Sequence, residues 1–100
     1  MNIEENKVYT FKLNSGEEII GRIIEIVESD YFTVEAPLST TPTQTGLQLV
    51  PIMFTTDINP TIILNVDSVS MIAEPREDVL DVYRESITGI KVPEKKILLS

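Results

Sequence analysis

Few residues of this chain are of the types that do chemistry, because it contains neither histidine nor cysteine. The lack of histidine removes the commonest general base and the commonest transition-metal ligand. The lack of cysteine excludes disulfides and thiolate metal sites, and Ser-His-Asp and Cys-His arrangements are impossible. The sequence also has no Gly-rich phosphate loop. We therefore expect that the chain is not an enzyme.

Carboxylates are the other candidate groups, and some lie beside an aromatic residue in Glu28-Ser29-Asp30-Tyr31. Such acids would repel phosphate and could attract Mg²⁺, Ca²⁺ or a basic peptide, although a solvated turn is the favoured interpretation. The pair Glu17 and Glu18 does not predict a glycosidase, because neighbours on a strand point to opposite faces. We predict no catalytic residue, no metal site and no cofactor.

The net charge bears on the partners that this chain can bind. It has 16 acidic and 8 basic residues, for a formal net charge of −8. Nucleic-acid affinity comes largely from neutralised phosphates, so this charge opposes it. The one cluster of bases, Lys91, Lys95 and Lys96, could bind phosphate, but a solvated tail is the favoured interpretation.

Targeting signals are not visible in the sequence. Residues 1–6 carry acids where a signal peptide has bases, and no apolar run is long enough to cross a membrane. We therefore expect a cytoplasmic protein without a membrane partner.

The elements that position these residues begin with a strong β pattern over residues 8–36. The chain contains 14 Ile and 9 Val, and β-branched residues favour strands. Tyr9, Phe11 and Leu13 recur with the period of two that is typical of a half-buried strand. Asn14-Ser15-Gly16 then predicts a tight turn.

The second and third strands continue this unit. Residues 17–27 predict a long strand in which Gly21 permits a sharp bend or a close approach of backbones. Residues 28–30 predict a turn. Residues 31–36 predict the third strand, which we expect to end at Pro37.

The middle of the chain has a weaker pattern. Residues 38–46 are rich in Thr, Ser, Pro and Gly and predict a mobile loop. Residues 47–56 predict a strand that Pro51 confines to a sheet edge or bends. Residues 57–60 predict a turn.

The last third predicts two short strands, residues 61–66 and 68–73, and a helix over residues 76–87. Gly89 is a plausible cap for the end of that helix, and the basic and apolar residues 90–100 could form an arm that docks on a neighbour. The helix has one apolar face. That face consists of Val79, Leu80, Tyr83 and Ile87.

This arrangement resembles the Sm-like small β-barrel of the Sm/LSm and Hfq-type family, most closely its members of phage origin. The shared features are a bent second strand, a variable connection before the fourth strand and a tight last turn. The resemblance implies a mainly β fold, a five-stranded, strongly bent antiparallel barrel over residues 8–74. A lead-in of residues 1–7 precedes it, and a C-terminal helix and arm of residues 75–100 follow. The first motif is carried by Phe11, Leu13, Gly16, Gly21, Ile23, Phe32 and Val34, and the second by residues 63–69.

The sequence departs from the family where the family binds RNA. A gapless match places Val27, Asp30 and Tyr31 on the family's Asp-x-x-Met-Asn positions. The family's Arg-Gly pair in the last turn falls on Asn65 and Val66. The family's usual helix precedes the barrel, whereas the predicted helix here follows it.

The resemblance implies a homo-oligomeric ring, because pairing between the fourth and fifth strands needs only their backbone edges. Residues 61–73 are apolar and poor in guarding charges, so we expect Ile63 and Met71 at the subunit interface. The ring would bind or chaperone RNA weakly and with little sequence preference. Tyr31 would stack a base and Asn65 would offer a donor and an acceptor.

Simpler roles remain open for both residues. Tyr31 could cap the barrel or fill a subunit contact, and the amide of Asn65 could bond to its own backbone in a turn. The alternative function keeps the ring as a protein-interaction scaffold, whose acidic surface selects a basic protein partner and which binds no RNA.

Overall fold

The computed structural model describes residues 2–88, which form one antiparallel sheet and one helix. This confirms a mainly β fold with a helix after the strands. The strands are β1 (Lys7–Leu13), β2 (Glu18–Val27), β3 (Tyr31–Thr43), β4 (Gly46–Pro51), β5 (Thr61–Asn65) and β6 (Val69–Ala73). A 3₁₀ turn, Val66–Ser68, joins β5 to β6, and the helix is α1 (Glu77–Thr88).

The sheet differs from the expected five-stranded barrel in strand number and in closure. The described residues form six strands in the order β4-β3-β2-β1-β6, and β5 pairs with β3. The sheet is not closed into a barrel, because β5 and β6 do not pair with each other. β3 is 13 residues long and pairs with β4 and β5 as well as with β2. Residues 31–35 pair with β5, and residues 38–43 pair with β4.

Two expectations for the middle of the chain were wrong. Residues 38–46 do not form a loop, since β3 runs through them and turns tightly at residues 44–45 into β4. The predicted strand 47–56 ends early, at Pro51, and residues 52–60 connect β4 to β5. Pro51 does lie on an edge strand, as the sequence predicts.

Pro37 does not end the third strand, because it lies at a β-bulge. Glu35 pairs with Arg22 and Leu38 with Ile20, so two residues of β3 oppose Gly21 alone. Ala36 in this bulge has a φ of 50°. A bulge leaves one residue out of the ladder, so the missing N–H of a proline is tolerated there.

Both faces of β2 are buried, which explains its nearly continuous apolar sequence. Ile19 and Ile23 contribute to a core enclosed by the curved sheet. Ile20 lies on the other face with Ala36 and packs in a second cluster. The other buried residues of the first core are Tyr9, Phe11, Phe32, Val34 and Leu64.

The helix covers the second cluster. Val79 and Tyr83 are its buried residues, and Ile87 packs at the margin of the same cluster. The predicted helix of residues 76–87 is therefore correct to within one residue at each end. The predicted cap Gly89 and the predicted arm of residues 90–100 lie outside the described residues.

Candidate functional site at the end of β3 and β5

Tyr31 and Asn65 lie opposite each other on paired strands. Tyr31 is the first residue of β3, Asn65 is the last residue of β5, and the two are direct cross-strand partners. Such pairs stand within about 4.5–5.5 Å at their Cβ atoms. The Tyr31 side chain is half-buried and Asn65 is exposed. The fold therefore brings together the two residues that the sequence singles out for RNA.

The turn before Tyr31 fixes the start of β3. Ser29 has a left-handed φ of 62°, and the N–H of Asp30 donates to the carbonyl of Val27 at 3.1 Å. The carbonyl of Asp30 then accepts a hydrogen bond of 3.0 Å from the N–H of Val66. This bond ties the 28–30 turn to the residue that follows Asn65, so the two sides of the site are held in one register.

The 3₁₀ turn is held from its other side by Asn14. The Asn14 side-chain amide donates to the carbonyl of Asp67 at 2.6 Å, and its backbone N–H donates to the carbonyl of Ser68 at 2.8 Å. The hydroxyl of Ser70 donates to the side-chain oxygen of Asn14 at 2.6 Å. Sequence reasoning gave Asn14 only a place in a turn, because a partner more than fifty residues away leaves no local signal.

The Asn65 side chain makes no capping hydrogen bond at the 3₁₀ turn that follows it. The 3₁₀ turn therefore does not use the Asn65 amide as a cap. This amide leaves a donor and an acceptor available to a ligand or to another chain.

The charge around the pair is negative. Glu28 and Asp30 in one turn and Asp67 in the other are all exposed. The segments 27–31 and 64–68, which build the site, contain no lysine or arginine. A ligand at Tyr31 and Asn65 therefore meets carboxylates and no cation from these segments, which disfavours phosphate close to the pair.

Ile63 lies on β5 and Met71 lies on β6, and both are edge strands of the open sheet. β5 pairs only with β3, and β6 pairs only with β1, so each has an outer edge that no described strand covers. The side chains of Ile63 and Met71 are 67% and 65% exposed. Neither strand contains a charged residue. Both edges therefore present unpaired backbone groups and exposed apolar side chains.

A cleft of about 480 Å³ between α1 and the sheet is lined by three basic residues, Lys7, Arg22 and Arg84. Arg22 and Glu35, which are cross-strand partners, form an ion pair of 2.6 Å there. Lys7 pairs with Glu74, and this hydrogen bond raises the pKa of Lys7 above its ordinary value. Two of the three bases that line the cleft, Lys7 and Arg22, are already paired with acids, so the cleft is a weaker candidate for an anion than its basic residues alone indicate.

No group of three or more acidic side chains among residues 2–88 is arranged to hold a metal ion. No helix in this part of the chain has the length and apolar character needed to span a membrane.

Comparison with known proteins adds no family assignment. No protein-family model matches the chain, and no curated protein matches it.

Proposed function

We propose that this chain is an Sm-like protein that assembles into a closed homo-oligomeric ring. The carrying observation is that β5 and β6 each have an outer edge that no strand among residues 2–88 covers. Pairing β5 of one copy with β6 of the next is a head-to-tail contact, and such contacts close into rings when the rotation between copies is suitable. The tight 3₁₀ turn between the two strands is also what the family resemblance implies.

The composition of the two edges supports this assembly. Natural proteins guard free edges with charges or prolines, and neither β5 nor β6 has one. Pairing would cover Ile63 and Met71, which are exposed in the single chain. Burial of apolar area contributes about 25 cal/mol per Å² before the cost of association.

We further propose that the ring binds single-stranded RNA weakly at Tyr31 and Asn65. Their cross-strand pairing is the observation that supports this role. Stacking on an aromatic ring contributes roughly 1–3 kcal/mol per base and tolerates any base. A ring repeats the contact in every subunit, so avidity raises a weak affinity.

A protein-interaction scaffold is the second candidate function, and the acids beside Tyr31 favour it. Glu28, Asp30 and Asp67 would be repeated around the ring and would attract a basic protein partner instead of phosphate. The two functions share the ring and differ in the ligand at the same face.

Filter binding at low salt with U-rich and A-rich oligonucleotides distinguishes them. If the RNA proposal is right, Tyr31→Ala abolishes binding, and Tyr31→Phe preserves it because the stacking face remains. Replacing Asp30 and Asp67 by Asn strengthens binding, because like charges near the phosphates are removed. Binding that persists in Tyr31→Ala would place the RNA elsewhere, and no binding by any variant would favour the scaffold.

A further inference from the structure

The third uncovered strand edge belongs to β4, which pairs only with β3 among the described strands. Its sequence, Gly-Leu-Gln-Leu-Val-Pro, has no charged side chain that would guard the edge, although Pro51 closes one end. An exposed edge of this kind can accept an extended peptide as an added strand.

An apolar groove of about 380 Å³ is lined by the end of this strand and by the neighbouring part of β3. We call it the β4 groove; β4 contributes Leu49 and Pro51 to it. The connection of residues 52–60 forms its other wall. The remaining apolar lining comes from β3 and consists of Ala36, Pro37 and Leu38.

The wall formed by residues 52–60 exposes large apolar side chains to a degree that needs an explanation. Phe54 is 90% exposed and Ile58 is 92% exposed. Single exposed hydrophobic residues are ordinary, but an apolar patch beside a groove marks an interaction site. The groove volume lies in the range of about 300–1,000 Å³ in which apolar side chains or small ligands are bound.

Charge indicates which partner the β4 groove accepts. Of the 16 acidic and 8 basic residues in the sequence, one acid and three lysines lie in residues 89–100. The described part therefore carries 15 acids and 5 bases. The groove itself has one charged lining residue, Asp57. This net negative charge attracts a basic segment more than an acidic one.

We propose that the β4 groove binds an extended, basic segment of another protein. The segment pairs with the outer edge of β4, its alternate Ile, Leu or Val side chains enter the groove, and its Lys or Arg side chains face the acidic surroundings. The proposal rests on the scaffold function for its class of partner. It can fail separately from the ring, since ring assembly uses β5 and β6.

The test measures fluorescence anisotropy of the full chain with a labelled decapeptide that alternates Lys with Ile and Val. We expect saturable binding, and no binding of the matched peptide with Glu in place of Lys. N-methylation of alternate residues along one peptide edge should abolish binding, because it removes the N–H groups that pair with β4. Phe54→Ser with Ile58→Ser should weaken binding at least about tenfold. Both side chains are exposed, so this variant keeps its fold.

Three results would overturn the proposal. Equal binding of the N-methylated peptide would show a general attraction between charges. Unchanged affinity in the Phe54→Ser, Ile58→Ser variant would place the peptide away from the groove. Affinity that rises more than about tenfold when the chain is ended at Thr88 would show that the chain's own basic residues compete for the groove, contrary to a partner from another protein.

Discussion

A Cβ atom at Gly21 would stand 2.5 Å from Cγ1 of Val34 and 3.3 Å from the Cα of Pro37. Gly21 is therefore required for the close approach of β2 to the bulge in β3, one of the two roles that its position in the sequence predicts. At this close approach β2 also packs against Pro37, which is buried inside β3.

Gly21→Ala should lower the free energy of unfolding by about 1–3 kcal/mol, because a methyl group is forced against buried Val34. Urea denaturation measures this loss. In a Val34→Ala background the loss should be smaller, since the contacting methyl group is gone. An equal loss in both backgrounds would show that the clash with Val34 is not its cause.

Tyr83 is a second residue whose burial has a measurable effect, in this case on the pH dependence of stability. It is fully buried, and its hydroxyl donates to the carbonyl of Glu35 at 2.9 Å. Burial raises the pKa of Tyr83 to about 12 from the ordinary value of 10.0. Ionisation is therefore opposed in the folded state. The stability that depends on the neutral phenol is complete below about pH 10 and is lost as the pH rises through about 12.

Tyr83→Phe should cost about 1 kcal/mol near neutral pH through the lost hydrogen bond. Between pH 10 and 12 the wild type should lose about 2–3 kcal/mol more than the variant, because only the wild type has this phenol to ionise on unfolding. Denaturant unfolding across that pH range measures the difference. Parallel pH profiles would contradict the assignment.

At the scale of elements, the sequence predicts the strands and the helix whose residues show a clear local pattern. β1, β2 and α1 follow from alternation, from the run of isoleucines and from the apolar face of the helix. Residues 38–43 were mistaken for a loop because their strand character comes from pairing with β4 and β2, which overrides a composition of Thr, Ser and Pro. The early end of β4 is likewise invisible, since residues 52–56 are as apolar as a strand.

The candidate site could be predicted only in part, because only some of its residues have a local signal in the sequence. Tyr31 and Asn65 occupy positions that the resemblance matches to the family's RNA-binding loops, and the register of β3 with β5 brings them together. Two other features depend on contacts between distant segments. They are the hydrogen bonds of Asn14 to the 3₁₀ turn and the β4 groove. Neither has a signature in a single sequence.

The prediction at the scale of elements concerns the stabilising role of α1. A helix of 12 residues is marginal on its own, so burial of Val79 and Tyr83 must hold α1 in place, and α1 in turn covers Ile20 and Ala36. A chain that ends at Glu74 should therefore melt at a lower temperature and be less soluble. A chain that ends at Thr88 is the control, because it keeps the helix. Equal melting temperatures for the two truncated chains would contradict this role of α1.

At the scale of the whole molecule, the open sheet is the dominant feature. Its edge strands β5 and β6 are both uncharged and are uncovered among the described residues, and each carries one large exposed apolar side chain. Both edges offer unpaired backbone groups, and the proposed ring would pair the two edges with each other.

Ile63→Lys and Met71→Lys should each yield folded monomers. Both side chains are about two-thirds exposed, so the lysine is solvated in the single chain and becomes costly only when a second strand covers it. Ile58→Lys is the matched control, since it adds the same charge at an exposed site away from both edges. Circular dichroism reports folding, and loss of the strand spectrum in Ile63→Lys or Met71→Lys would mean that the side chain matters to the single chain.

The mass of the unmodified chain in solution tests the central proposal most directly. Sedimentation velocity and native mass spectrometry at micromolar concentration should give one closed species whose mass is an integer multiple of 11.2 kDa. Ile63→Lys and Met71→Lys should return it to the single-chain mass. A wild type that sediments only as an 11.2 kDa species would contradict the ring and every function proposed for it.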